Sequence, residues 1–224
     1  VTGGRSTGHI IIRAAGKEVT VSLASLNSNA PEKEGFRGFV ESEGCVSIEA
    51  EHFSGKTSTG NSSWEKITGY GKTSSAMRAV ALPDTPPAAP GADSPCLYYD
   101  IYMFTADTVS VRLTLSPSLN FIHGRDIRIG ISFDDEAPQT VTVVPGGYKA
   151  QNGNRDWEKS VEDNARYVST RHLLNHPGKH TLTVWMTDPG ICLEKIVIDA
   201  GGVKPSYLGP PESCFIDMGK ERKN

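Results

Sequence analysis

The sequence lacks a basic excess: 23 Lys and Arg stand against 26 Asp and Glu, for a net charge of -3. Nucleic-acid binding normally leaves a positive footprint that neutralises phosphates, so no nucleic-acid partner is expected. No apolar run approaches the roughly 18 residues that a membrane-spanning helix needs, so no membrane partner is expected either. The N-terminus carries no charged, apolar, small-residue leader pattern. It opens at Val1-Thr2-Gly3-Gly4, as a piece cut from something longer would. Cysteines are few: Cys45, Cys96, Cys192 and Cys214 lack metal-type spacing, and four cysteines allow three pairings between which sequence does not choose. Cys192 lies in an apolar run that suits a buried free thiol. Cysteine usage therefore does not reveal the compartment.

Catalytic signatures are also lacking. There is no Gly-x-Ser-x-Gly elbow and no glycine-rich phosphate cradle. Glu51-His52 starts like a zinc-protease motif but has no second histidine four residues on. His172, His176 and His180 share a four-residue spacing that invites a zinc reading. Pro177-Gly178 breaks that run and its flanks read as strand, so solvated or hydrogen-bonded histidines are expected. Asp134 and Asp135 are adjacent in a turn. Their side chains should diverge into solvent rather than flank a glycosidic bond.

What the chain does have is 37% apolar and 22% charged residues, enough for a folded core. Its pattern is short alternating segments separated by turn residues. His9–Arg13 and Glu18–Leu23 read as a hairpin with Val19, Val21 and Leu23 on one face, and polar Ser28–Gly38 reads as a linker. Strands are expected at 46–51, 65–68, 76–82, 97–104, 109–115, 126–133, 140–144, 167–173, 180–186 and 191–198. The proline-rich run 83–90 cannot join a sheet ladder and should be an exposed loop. One short helix is expected at Asp156–Arg166, where Trp157, Val161 and Ala165 recur every fourth residue. The fold class is all-β, a β-sandwich or jelly roll of the galactose-binding kind. It divides into a hairpin and linker at 1–35, a sandwich at 36–204 and an extended tail at 205–224.

The most informative segment is Gly38–Phe53. If Ile48-Glu49-Ala50-Glu51 is a strand, Glu49 and Glu51 share a face and repel unless a cation lies between them. A calcium ion would suit; a solvated strand face is the alternative. Opening a sandwich, these residues resemble the start of carbohydrate-binding modules of families 6 and 35. That resemblance implies a structural calcium held by Glu49, Glu51 and acidic groups of the last strand, Glu194 and Asp199.

A longer series is similar to the C-terminal domain of glycoside hydrolase family 115, which comprises large bacterial xylan α-glucuronidases. It includes Gly38-Phe39-Val40-Glu41, Ile48–Phe53, Trp64, Gly69-Tyr70-Gly71-Lys72-Thr73, Tyr98-Tyr99-Asp100, Ser132-Phe133-Asp134-Asp135, Trp157, Pro177–Leu182, Asp188-Pro189-Gly190 and Ser206–Ser213. Cys45 departs from it, standing where an aromatic residue is usual. The resemblance implies a secreted or periplasmic bacterial protein whose catalytic acids lie in upstream domains, so that this chain is not itself an enzyme. It also makes residues 9–24 look like the end of the preceding domain.

Sugar contact needs aromatic faces and planar polar groups. Two clusters supply them: Trp64, Tyr70 and Lys72 with Asn61-Ser62-Ser63, and Tyr148, Asn152, Arg155 and Trp157 with Gln151 and Asn154. Each tryptophan has core packing as its alternative. The expected function is non-catalytic recognition of a polysaccharide such as xylan or glucuronoxylan, in association with upstream catalytic domains. The alternatives are a structural domain that forms a homodimer and, less favoured, an autonomous hydrolase.

Overall fold

The computed structural model describes residues 4–27, 35–82, 85–91 and 94–217. Pro83 and Asp84 of the expected proline-rich loop, and 28–34 of the expected linker, lie outside the described residues. The chain divides into two units, one containing the hairpin and the other running from Arg37 to Asp217.

The hairpin pairs β1 (Gly4–Ala14) with β2 (Lys17–Asn27). Its two-residue turn, Ala15-Gly16, has positive φ at both positions, the conformation whose twist matches a two-stranded ribbon. Register places Ile10 opposite Val21, Ile12 opposite Val19 and Gly8 opposite Leu23 on one face. The other face carries the Arg13–Glu18 ion pair at 2.6 Å and a His9–Ser22 hydrogen bond at 3.2 Å. The apolar face is exposed along its length.

The second unit contains, in order, β3 (Arg37–Val40), β4 (Cys45–Glu49), β5 (Gly55–Lys56), β6 (Ser63–Ile67), β7 (Ala76–Val80), β8 (Cys96–Met103), β9 (Thr108–Leu115), β10 (Ile127–Phe133) and β11 (Gln139–Val144). These are followed by α1 (Arg155–Asp163), β12 (Arg166–Leu173), β13 (Gly178–Met186), β14 (Cys192–Asp199) and β15 (Phe215–Asp217). One sheet has the order β11-β10-β13-β8-β3-β15 with β5 on β8, and the other β12-β9-β14-β7-β6 with β4 on β14. Alternate residues of both sheets point inward. Tyr99, Ile101, Ile129, Ile131, Leu182 and Val184 from the first meet Ile48, Trp64, Val111, Leu113, Ile196 and Ile198 from the second in a single core. Fully buried Tyr99 satisfies its hydroxyl by donating to the Ala50 carbonyl at 2.7 Å, and burial holds its pKa well above the ordinary value.

The all-β sandwich agrees with the sequence pattern, and three short strands were missed by it. β3 begins inside the stretch read as linker, β5 is only two residues long, and β15 lies in the stretch read as tail. β15 pairs with β3, so the chain through Asp217 belongs to the sandwich unit. The helix is shorter than expected because Asn164 turns left-handed at φ 46, after which Arg166 opens β12. Asn154 starts it by accepting from the amides of Asp156 and Trp157. All four cysteines are free. Burial, with nearby Asp199, pushes the Cys45 thiol up to about 11, so it stays protonated and unreactive at neutral pH.

Of the two readings of Trp64, sugar platform and core, packing decides for the core: it is fully buried and its indole N–H points to the Pro95 carbonyl at 3.4 Å. Trp64→Ala should therefore cost about 3–5 kcal/mol in urea unfolding, as large core truncations do.

Candidate functional site

A cleft of about 760 Å3 lies at one end of the sandwich between the exit of β7, the loop at 85–87, the loop at 121–125 and the turn Pro189-Gly190. Its floor is set by main-chain bonds. Gly190 N–H donates to the Ala79 carbonyl and Ala79 N–H to the Ile191 carbonyl, both at 2.8 Å. Asn120 holds the 121–125 loop by donating from Nδ2 to the carbonyls of Arg125 (2.8 Å) and Pro145 (3.0 Å) and by accepting from Ile122 N–H at 2.8 Å. Phe121 leaves this loop 59% exposed. Its ring tip rests over Gly190, whose φ of +84° already favours glycine and where a Cβ would come within 2.2 Å of the ring.

The cleft's ionisable residues among those described are Arg78, His123 and Arg125. Arg78 pairs with Glu65 at 3.0 Å on the surface. Arg125 is ion-paired to Asp188, whose side chain is fully buried and also accepts from the Arg128 amide at 2.8 Å. The sequence pattern nominates neither Phe121 nor Arg125. An aromatic and an arginine, Phe121 and Arg125, within one polar loop were the available signal.

The expected sugar residues lie elsewhere. Asn61 and Ser62 line a hollow of about 310 Å3 that shares Ala81, Leu82, Thr85, Pro86 and Pro189 with the cleft. Tyr70 is exposed. Lys72 is engaged internally: Nζ donates to the Asp163 carbonyl at 2.9 Å and stands 3.7 Å above the Tyr207 ring. Tyr148 is half-buried beneath the Arg166 guanidinium at 4.6 Å, and its hydroxyl lies 3.3 Å from Ser160 Oγ. Asn152 and Arg155 are exposed, and Trp157 is half-buried on α1. Neither cluster lines the large cleft.

The four expected metal ligands do not form one cage. β4 ends at Glu49, so Glu51 lies in the following turn and does not share a strand face with it. Glu49 pairs with Lys195 at 3.0 Å and accepts from the Thr73 hydroxyl at 2.8 Å. Glu51 is paired with Lys66 and accepts from Ser74 Oγ and, at 3.2 Å, from Ser75 N–H. Glu194, in a bulge of β14, accepts from Ser116 Oγ at 2.6 Å and Lys72 N–H at 2.9 Å. Asp199 caps the far end of β14 through Gly201 N–H at 2.8 Å, roughly 17 Å along the strand from Glu194 at the usual rise. Calcium requires roughly six to eight oxygens around one point. Here two of the carboxylates already face ammonium groups, and among the described residues no three His, Cys, Asp or Glu converge on a metal-sized site. This set does not fit a shared calcium ion.

The expected histidine pattern resolves into hydrogen-bonded pairs. His180 Nδ1 lies 2.7 Å from Asp134 Oδ2, and buried His172 is bound to Glu136. Asp134 is exposed, as expected, and its carboxylate is also tied to His180 and accepts from Thr181 N–H at 2.8 Å.

A two-sheet sandwich with a loop-built, partly aromatic cleft is a β-sandwich module. The chain belongs to the Glycosyl hydrolase family 115 C-terminal domain, which matches residues 38–212. Among solved structures it is similar to a family GH115 4-O-methyl-α-glucuronidase with specificity for decorated arabinogalactans, at 17% identity and TM-score 0.47. That match covers 65% of this chain and 17% of the other, so the chain spans only a small part of that enzyme's length. It is also similar to the C-terminal family 6 carbohydrate-binding module of LamC, a marine laminarinase from Zobellia galactanivorans (12% identity, TM-score 0.44, 69% and 98% covered). A family 35 module from Clostridium thermocellum matches at 9% identity and TM-score 0.41, covering 69% and 96%. No curated protein sequence matches.

Two measurements test the acidic network. Lys195→Met leaves Glu49 buried without its counter-charge and should cost about 3–5 kcal/mol in urea unfolding, part of which Glu49→Gln in the same chain recovers. At Glu51, burial opposes ionisation, but hydrogen bonds from Lys66, Ser74 and Ser75 overcome it and hold the carboxyl at about 2. Because that lies below the unfolded value, ionised Glu51 stabilises the fold above about pH 4.5, and the contribution is lost as pH falls toward 2. Thermal melts across that window should be less steep with pH in Glu51→Gln.

Proposed function

We propose that this domain is a carbohydrate-binding or accessory module of a family 115 glycoside hydrolase and performs no hydrolysis itself. The large cleft supports this reading. It combines apolar walls and an exposed aromatic ring with a few fixed polar groups, the usual make-up of a small-ligand site, and among its described lining residues there is no carboxylate. Glycoside cleavage generally needs two, one on each side of the bond. The ligand is a plant polysaccharide such as xylan or glucuronoxylan, met outside the cytoplasm by a secreted or periplasmic bacterial enzyme.

We read Lys195 and Lys66 as supplying the positive charge that calcium would bring to the acidic residues. EDTA should then leave the melting temperature unchanged. A drop on chelation, reversed by calcium, would refute the substitution.

The hairpin supports a second reading, concerned with assembly. Its exposed face of Ile10, Ile12, Val19, Val21 and Leu23 is a surface that a soluble protein normally covers. We assign it to packing against the preceding domain of a longer chain. Sedimentation of this chain alone should show a monomer at low concentration; a tight dimer dissociated by Val21→Lys would make the face a homodimer contact instead.

Titration calorimetry with xylan, glucuronoxylan and arabinogalactan oligosaccharides tests the binding reading. Phe121→Ala should weaken any binding by about tenfold or more, the scale of losing one aromatic stacking contact. Tyr70→Ala and Trp157→Ala, outside the cleft, should leave it unchanged.

A further inference from the structure

A smaller pocket, about 200 Å3, lies on the outer face of the second sheet, between that sheet and residues 206–209 of the segment that follows β14. Arg112 and Thr114 of β9 line it together with Lys195 and Val197 of β14, and Tyr167 of β12 and Lys72 stand at its sides. Strand alternation places them there. Val111 and Leu113 point into the core, so Arg112 and Thr114 face outward. Register sets Arg112 between Ser169 of β12 and Val197 of β14, and neither neighbour is a carboxylate.

The charged side chains of the pocket are unequally satisfied. Lys195 is paired with Glu49, and Asp163 with Lys159, each at 3.0 Å. Glu194 accepts from Ser116 Oγ and the Lys72 amide. Lys72 Nζ has a carbonyl and a tyrosine ring as partners and no carboxylate among the described residues. Arg112 has the least. Its guanidinium lies 5.6 Å from the centre of the Tyr167 ring and makes no hydrogen bond or ion pair to any described residue. Its Nε is buried. Asp199, one row along the sheet, accepts at Oδ1 from the amides of Gly201 and Val203 instead. Arg125 and Arg166, by contrast, each hold a carboxylate. Two cations, Arg112 and Lys72, thus face one carboxylate, Glu194, with none of the three in an ion pair.

Withdrawing a guanidinium from water is costly unless an acceptor meets it. Its five N–H donors form a planar fork that matches the paired oxygens of an oxyanion. Size narrows the class further, because 200 Å3 falls below the roughly 300 Å3 at which sites for larger organic ligands begin. A single small ion fits, and a saccharide chain does not.

We propose that this pocket binds a small inorganic oxyanion, phosphate or sulfate, with Arg112 as its main donor and Lys72 adding positive charge. The bound ion fastens residues 206–209 to the sheet and so steadies the segment that crosses to β15 of the other sheet. This role is independent of sugar binding in the cleft.

Thermal melts and phosphorus NMR on the whole chain test this, with chloride replaced stepwise by phosphate or sulfate at constant ionic strength. The wild-type chain should broaden the phosphate line saturably. Its melting temperature should rise by about 3–6 °C at ten times the dissociation constant. Arg112→Gln should abolish both responses. Since that variant removes a charge with no protein partner, it should fold and, in chloride alone, melt no lower than wild type. An unmoved melting temperature with a sharp line means that water alone serves Arg112, and overturns the proposal. A rise that Arg112→Gln retains is a general salt effect and overturns it equally. A variant that melts well below wild type in chloride shows Arg112 already satisfied within the protein, which also defeats the assignment.

Discussion

A lysine buried on the outer face of a sheet is costly, because taking an ammonium out of water carries a penalty of several kcal/mol that only close partners offset. Lys195 is 4% exposed. Glu49 lies 3.0 Å from it across the β4–β14 ladder, and the carbonyls of Leu208 and Pro210 accept from it at 3.3 and 3.2 Å. Those carbonyls belong to the segment after β14, which thereby lies over the sheet. The same segment is bonded along β4: Ser213 N–H donates to the Ser47 carbonyl at 2.8 Å, and the Glu49 amide donates to Glu212 at 2.9 Å. An otherwise exposed strand edge is covered, and both faces of β4 are buried. The strap then continues into β15 of the opposite sheet, so one charged contact helps fasten the two layers together.

The loop at 71–75 extends this network. It meets Glu194 through Lys72 N–H, Glu49 through Thr73, and Glu51 through Ser74 and Ser75. Carboxylates that could repel are each satisfied by separate donors and ammonium groups. Multivalent-ion chemistry and internal ion pairing are competing solutions to the same electrostatic problem, and the second is the one we propose for these side chains.

The cleft draws on another part of the scaffold. Its walls are loops, but their positions come from buried polar anchors, Asn120 under the 121–125 loop and Asp188 beneath Arg125. A loop pinned by a buried carboxylate presents its exposed side chains in a fixed geometry. The hydrophobic core beneath supplies the rigidity on which these loops stand.

The fold was legible in the sequence because a strand's period of two is local: the run Val109–Leu115 states which residues face inward without reference to any partner. The Asn154 cap and the Ala15-Gly16 turn are equally local. The family blocks carried the membership for the same reason, being short and ordered along the chain. The strands that were missed are short ones with too few residues to show a period.

The candidate site was much less legible. Trp64 and Phe121 are both aromatic residues near turn-forming sequence, and only packing put the first in the core and the second at the surface. Glu49 and Glu51 looked like a matched pair because alternation was assumed to continue past the last ladder bond, whereas β4 stops between them. Lys195 gave no sign of its role, since its partners lie far away in sequence, at Glu49 on one side and Leu208 and Pro210 on the other. Sequence alone determined the all-β alternation, the hairpin and the family, because these rest on near neighbours. Which charges neutralise one another, and which aromatic meets solvent, was decided by contacts between distant segments that exist only once the two sheets have closed.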